Sequence, residues 1–171
     1  MSNIVIVCLG SRWYVEDRAG LEVCKRIRAK VNNENIRVIE CETGLEDYVG
    51  PISREDPSLL IIVDSVLVHG ENRHNYESSI IVIDNLLEML SSEKWSFVEY
   101  LSSHKMPLLL ALKLIKLGCP RLQRVCFVGI PIRELTFCPP DEDVVFPYHV
   151  SENIALAERY ILDILKNFNV G

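Results

Sequence analysis

Three places along the chain put oxygen or nitrogen ligands where an apolar run gives way to a loop or a helix. Residues 3–9 close on Gly10, and the loop that follows carries Glu16 and Asp17. Asp64 comes directly after Leu60, Ile61, Ile62 and Val63, and His104 stands just ahead of a helical pattern opening at Pro107. Buried parallel strands present their useful groups beyond their carboxyl ends, so two carboxylates and one imidazole are expected on one edge. That set suits a divalent transition ion of the zinc or nickel kind, with open positions left for water or a substrate group. Converging carboxylates also repel one another in a low-dielectric crevice unless a cation or proton neutralises them. Each residue has a plain structural role as well. Glu16 and Asp17 fit the acidic first turn of a helix, and His104 fits a cap or the surface. Asp64 is harder to explain that way, because an acid following four apolar residues is costly to bury without a partner.

The elements that must position these groups follow from periodicity. Residues 3–9 are a continuous β-branched run, as expected of a strand covered on both faces. Gly20, Val23, Cys24, Ile27 and Val31 then repeat at helical spacing, with Lys25, Arg26, Arg28 and Lys30 between them, which predicts an amphipathic helix beginning near Asp17. Residues 36–40 and 59–64 predict two more strands, the second ending at Asp64, and residues 44–49 a short helical turn. Residues 69–79 are polar and aperiodic, as in a surface loop or hairpin, and precede the apolar residues 80–83. Pro107 near the start and Gly118 past the end frame a helix. Residues 125–130 predict a strand, and Ser151 can cap a last helix whose Ile154, Ala157, Ile161, Ile164 and Leu165 face inward. Alternating strands and helices predict an α/β three-layer sandwich, a twisted, mostly parallel sheet flanked by helices, as a single domain over residues 1–171.

Composition narrows the function classes. The 171 residues are 49% hydrophobic and 25% charged, enough for a full core. Eighteen basic against 24 acidic residues give a net charge of -6, so no sequence-independent attraction to nucleic acid or anionic lipid is expected. No apolar stretch approaches the roughly 20 residues of a membrane span, and the start of the chain runs straight into an apolar strand without a secretory signal pattern. A cytoplasmic location is expected. The six cysteines at positions 8, 24, 41, 119, 126 and 138 contain no C-x-x-C pair, and free buried thiols are expected rather than disulfides. Cys8 and Cys126, inside apolar strands, read as packing residues rather than nucleophiles. Gly10 and Gly20 are too far apart for a dinucleotide fingerprint, and neither a P-loop nor a G-x-S-x-G elbow occurs. His69, His74 and His149 lie in polar or proline-rich segments and are expected at the surface.

Taken in order, residues 4–10, Glu16-Asp17-Arg18-Ala19-Gly20, Thr43-Gly44, residues 60–64, Ser103-His104 and Val128-Gly129-Ile130 resemble the hydrogenase maturation endopeptidase family over nearly the whole chain. Those proteases remove a C-terminal peptide from the precursor of the nickel-iron hydrogenase large subunit after its nickel has been inserted. The resemblance implies that activity here, with the precursor as partner and nickel supplied by it; another divalent ion is expected to be able to occupy the site of the isolated protein. It implies Asp17, Asp64 and His104 as the metal-engaging residues, and Glu16, Thr43 and Gly44 beside the substrate. This chain departs from the family in having Gly10-Ser11 where Gly-Asn is usual, and Glu16-Asp17 where two aspartates are usual. Two other functions compete. One is a non-catalytic chaperone that binds nickel or the precursor with the same ligands; the other is a peptidyl-tRNA hydrolase-like enzyme, whose Asn-Pro-Gly after the first strand is absent here.

Overall fold

In a computed structural model of the chain, the structure describes residues 3–68, 79–89 and 108–168. His69, His74, His104 and Pro107 lie outside the described residues, as does nearly all of the loop expected over 69–79. The strands are β1 (Ile4–Leu9), β2 (Ile36–Cys41), β3 (Leu59–Leu67), β4 (Ile81–Ile83) and β5 (Arg124–Ile132). The helices are α1 (Ala19–Lys30), α2 (Val49–Glu55), the short α3 (Leu86–Met89), α4 (Leu108–Gly118) and α5 (Tyr148–Phe168), with single 3-10 turns at Glu16–Arg18 and Leu45–Tyr48.

The sheet has the order β2-β1-β3-β5-β4, parallel throughout except for β4, which runs antiparallel at the edge beside β5. The β-branched run of β1 is buried at every position because both faces of the sheet are covered. On one face Ile6, Cys8, Ile61, Val63 and Val128 pack with Val23, Ile27, Ile154 and Ile161 of α1 and α5. On the other, Val7, Leu9, Leu60, Ile62 and Phe127 pack with Ile52, Leu112 and Ile115 of α2 and α4. Fully burying each such aliphatic side chain contributes about 1.5–3 kcal/mol, so the sandwich is held mainly by these two layers. No helix among the described residues is long and apolar enough to cross a membrane.

Several expectations need correction. Cys8 and Cys24 form a disulfide, with Cα atoms 5.9 Å apart, while Cys41, Cys119, Cys126 and Cys138 are free and buried. Cys8 projects to the face covered by α1, and Cys24 lies on the inner stripe of that helix, so the two sulfurs converge. The third strand does not end at Asp64: Ser65, Val66 and Leu67 continue the ladder against Ile130, Pro131 and Ile132. The last helix begins at Tyr148 rather than at Ser151, whose amide already donates to the Pro147 carbonyl at 3.0 Å. His149 is half-buried, its Nε2 shut away from solvent.

Candidate active site

The strand order reverses between β1 and β3, since the chain passes from β1 outward to β2 and then returns across β1 to build β3. A crevice at the carboxyl ends of those two strands is the usual binding place in such sheets. Cys8 pairs with Val63, so Asp64 stands level with the last residue of β1, and Asp64 in turn pairs with Gly129. Beyond Val63, β3 is laddered only to β5 among the described residues, and the loop after β1 docks along the side left open. Ser65 Oγ donates to the Glu16 carbonyl at 3.2 Å. Asp17 and Asp64 are each one residue from that contact, which brings their backbones to the same edge.

The loop is drawn tight around two glycines. A Cβ on Gly10 would overlap the Asp17 carbonyl oxygen, and one on Gly20 would overlap that of Leu9, so only glycine permits both approaches. The Ser11 amide donates to Asp17 Oδ2 at 2.9 Å, and the Ser65 amide donates to Asp64 Oδ1 at 2.8 Å. Asp17 is 7% exposed, Glu16 2% and Asp64 0%. Three acids are therefore gathered out of bulk water at one rim, and each needs specific compensation.

The Thr43-Gly44 turn reaches the same rim through Cys41, the last residue of β2. Cys41 lies opposite Leu9, and its Sγ donates to the Gly44 carbonyl at 3.5 Å. Burial, reinforced by the negative charges of Asp47 and Asp64, pushes the Cys41 thiol up to about 12. It is consequently a neutral thiol at physiological pH, and cysteine-nucleophile chemistry is not what this edge offers. Its chemistry is that of carboxylates.

The segment after β5 completes the rim, and nothing in the local sequence pattern pointed to it. The Glu16 carboxylate accepts from the Thr136 amide at 2.7 Å and from the Thr136 hydroxyl at 2.9 Å. Arg18 donates through its guanidinium to the carbonyls of Arg12, Cys138, Pro139 and Glu142 at 2.7–3.1 Å. Tyr14 and Phe137 form an antiparallel bridge flanked by Val15 N–H to Thr136 O and Cys138 N–H to Trp13 O, both at 2.9 Å. Apart from the Arg18–Arg12 contact, these span more than 110 positions of sequence, beyond the reach of periodicity or spacing. Of the residues expected to engage a metal, Asp17 and Asp64 lie at this edge and His104 is outside the described residues. Among the described residues no group of three or more His, Cys, Asp or Glu side chains is placed to hold an ion.

The architecture is shared with solved structures. The NiFe hydrogenase maturation protease HycI from Thermococcus kodakarensis KOD1 superposes with a TM-score of 0.72 at 23% identity, covering 96% of this chain and 93% of that one. The maturation protease HybD from Thermococcus kodakarensis gives 0.69 at 19% identity over 95% and 98%. The hydrogenase maturating endopeptidase HybD from E. coli gives 0.69 at 13% identity over 96% and 93%. The chain has the hydrogenase maturation protease fold. No family model matches the sequence, and no curated protein matches it. Within the maturation protease fold, the switch point between β1 and β3 is where this chain gathers Glu16, Asp17 and Asp64.

Proposed function

We propose that the chain is an endopeptidase that removes the C-terminal peptide from the precursor of a nickel-iron hydrogenase large subunit once its nickel is in place. The observation that carries this reading is a maturation protease fold in which the Asp17 and Asp64 backbones are brought to one edge at the β1–β3 switch point. The nickel belongs to the substrate. Carboxylate oxygens are suitable donors to it, and in this reading His104 adds an imidazole nitrogen, so the enzyme engages only a precursor that already holds its metal. The Ser11 and Ser65 amides fix one oxygen of each carboxylate, which sets their orientation before the substrate arrives.

In the hydrolytic step a water adds to the scissile carbonyl carbon while the substrate's nickel polarises the carbonyl oxygen. A carboxylate of the rim accepts the water proton and returns it to the departing amine as the C–N bond breaks. The products are a shortened large subunit and a free peptide.

The test is incubation with matched nickel-loaded and nickel-free precursors, read by intact-protein mass spectrometry. Shortening of the loaded precursor alone is expected. Asp17→Asn, Asp64→Asn and His104→Ala are each expected to slow cleavage by about 10²- to 10⁴-fold, the usual contribution of a positioned proton-transfer or charge-stabilising group. Undiminished cleavage in all three variants overturns the assignment. A precursor that binds but stays full length favours the chaperone function instead.

A further inference from the structure

Beside the acidic rim stands an aromatic surface that the hydrolytic chemistry does not use. Trp13 is 53% exposed, Tyr14 36% and Phe137 63%. The Trp13 and Phe137 rings stack with centroids 6.0 Å apart, and Tyr14 meets Phe137 edge-on at 6.3 Å. The rings are carried on a two-stranded ribbon closed by the Tyr14–Phe137 bridge and its flanking amide bonds. Glu16 locks one strand of the ribbon to the other through Thr136, and Arg18 locks the turn behind it through its carbonyl contacts.

We propose that Trp13, Tyr14 and Phe137 form the docking ridge on which the precursor polypeptide is seated, through apolar side chains next to the segment that is cut. This rests on the maturation protease reading above. Continuity selects the occupant. The ribbon runs from Tyr14 through Val15 directly into Glu16 and Asp17, so the rings stand within a few residues of the rim that the precursor's metal has to reach. Clustered Trp and Tyr side chains supply large contact area at low conformational cost, which makes them frequent anchors of binding energy. Because the ribbon is already closed in the free protein, little ordering is left to be done on binding. Removing the rings thus weakens association and leaves the bond-breaking step in place.

The experiment compares the full chain with Trp13→Ala, Phe137→Ala, their double variant and Trp13→Phe, using nickel-loaded precursor, with Leu117→Ala as an exposed apolar control on α4. The double variant is expected to raise both the precursor Kd and the processing KM by about tenfold or more, with the loss falling on KM rather than kcat, and Trp13→Phe to recover most of the binding. Circular dichroism and thermal melts confirm that each variant is folded. An unchanged Kd and KM in the folded double variant overturns the ridge, as does an equal loss in Leu117→Ala. A wild-type dimer that the double variant dissolves, with precursor affinity unchanged, assigns the rings to self-association and also overturns it. If the wild type binds the precursor without cutting it, the protease reading fails while the ridge is decided by the Kd values alone.

Discussion

Glu16 holds Thr136 with both oxygens of its carboxylate, one receiving the threonine amide at 2.7 Å and the other its hydroxyl at 2.9 Å, across 120 positions of sequence. A buried carboxylate is thereby spent on joining the loop after β1 to the segment after β5, immediately beside Asp17. Glu16→Ala removes both acceptors and leaves the donors of Thr136, itself an exposed residue, to turn to water. We expect a stability loss of about 1.5–3 kcal/mol, the usual contribution of hydrogen bonding to a charged group, read from urea denaturation. Glu16→Gln retains one oxygen acceptor and places a donor where the threonine hydroxyl can accept, so it should recover most of that loss and of the processing rate. Equal damage from both substitutions would show that charge matters here, and that the hydrogen-bonding shape does not.

The parts of this arrangement that are visible in the sequence are those set by neighbours within one element. The run through Val63 marks a buried strand, the stripe of Val23, Cys24 and Ile27 marks a core-facing helix, and Asp64 stands out as an acid against an apolar background. What cannot be seen locally is decided by partners far away. Ser65 to Leu67 extend β3 because β5 is there to pair with them. The helix Val49–Glu55 forms although it contains Gly50 and Pro51, since the missing proline amide falls in the first turn, where it has no intrahelical acceptor to lose. The Cys8–Cys24 bond and the Glu16 and Arg18 clamps depend on which loops the sheet order brings together.

Gly20 and Gly50 should differ in how they respond to the same added methyl. At Gly20 a Cβ would overlap the Leu9 carbonyl oxygen and lie 3.5 Å from that of Val63, and backbone at the centre of the sheet has little room to move. Gly20→Ala is expected to cost about 1–3 kcal/mol as overpacking and to displace Asp17, reducing processing. At Gly50, chain neighbours apart, the nearest atom is Arg54 Nη1 at 3.9 Å, and the position is exposed and helical. Gly50→Ala should be close to neutral, the gain of about 0.4–1 kcal/mol through the unfolded chain being offset by the contact of its Cβ with the ring of the following Pro51 in helical backbone. Paired thermal melts check the difference.

The Cys8–Cys24 bond encloses the whole loop from Leu9 through Asp17 and Gly20, with a sequence separation of 16. Closing a loop of that size in the unfolded chain is worth about 3 kcal/mol in the chain-entropy account. Thiol titration in denaturant should find the four free cysteines without reductant and all six after reduction. Reduced protein should melt earlier and lose part of its processing rate, because the Asp17 loop then depends on its packing and hydrogen bonds without a covalent tie. A Cys8→Ala/Cys24→Ala variant that melts with the oxidised wild type would show that the bond adds nothing.

Alkaline pH should destabilise the fold through its buried thiols. Burial, with the charges of Asp47 and Asp64 acting in the same direction, lifts Cys41 from the ordinary 9.0 to about 12, and burial lifts Cys126 to about 11. Burial, helped by the charges of Cys126 and Asp84, likewise raises Tyr160 from 10.0 to about 12. Each folded value lies above its unfolded one, and the ionised form is the one the core excludes. Below about pH 9 both states are protonated at these thiols and their titration contributes nothing to pH dependence. Between pH 9 and the raised values the unfolded chain binds fewer protons than the folded one, so stability falls as pH rises. Cys41→Ala/Cys126→Ala should be less stable than wild type at pH 7, from lost packing, yet decline less steeply between pH 9 and about 11. Urea denaturation across that range separates the two effects, and parallel curves would mean that the thiols do not drive the alkaline loss.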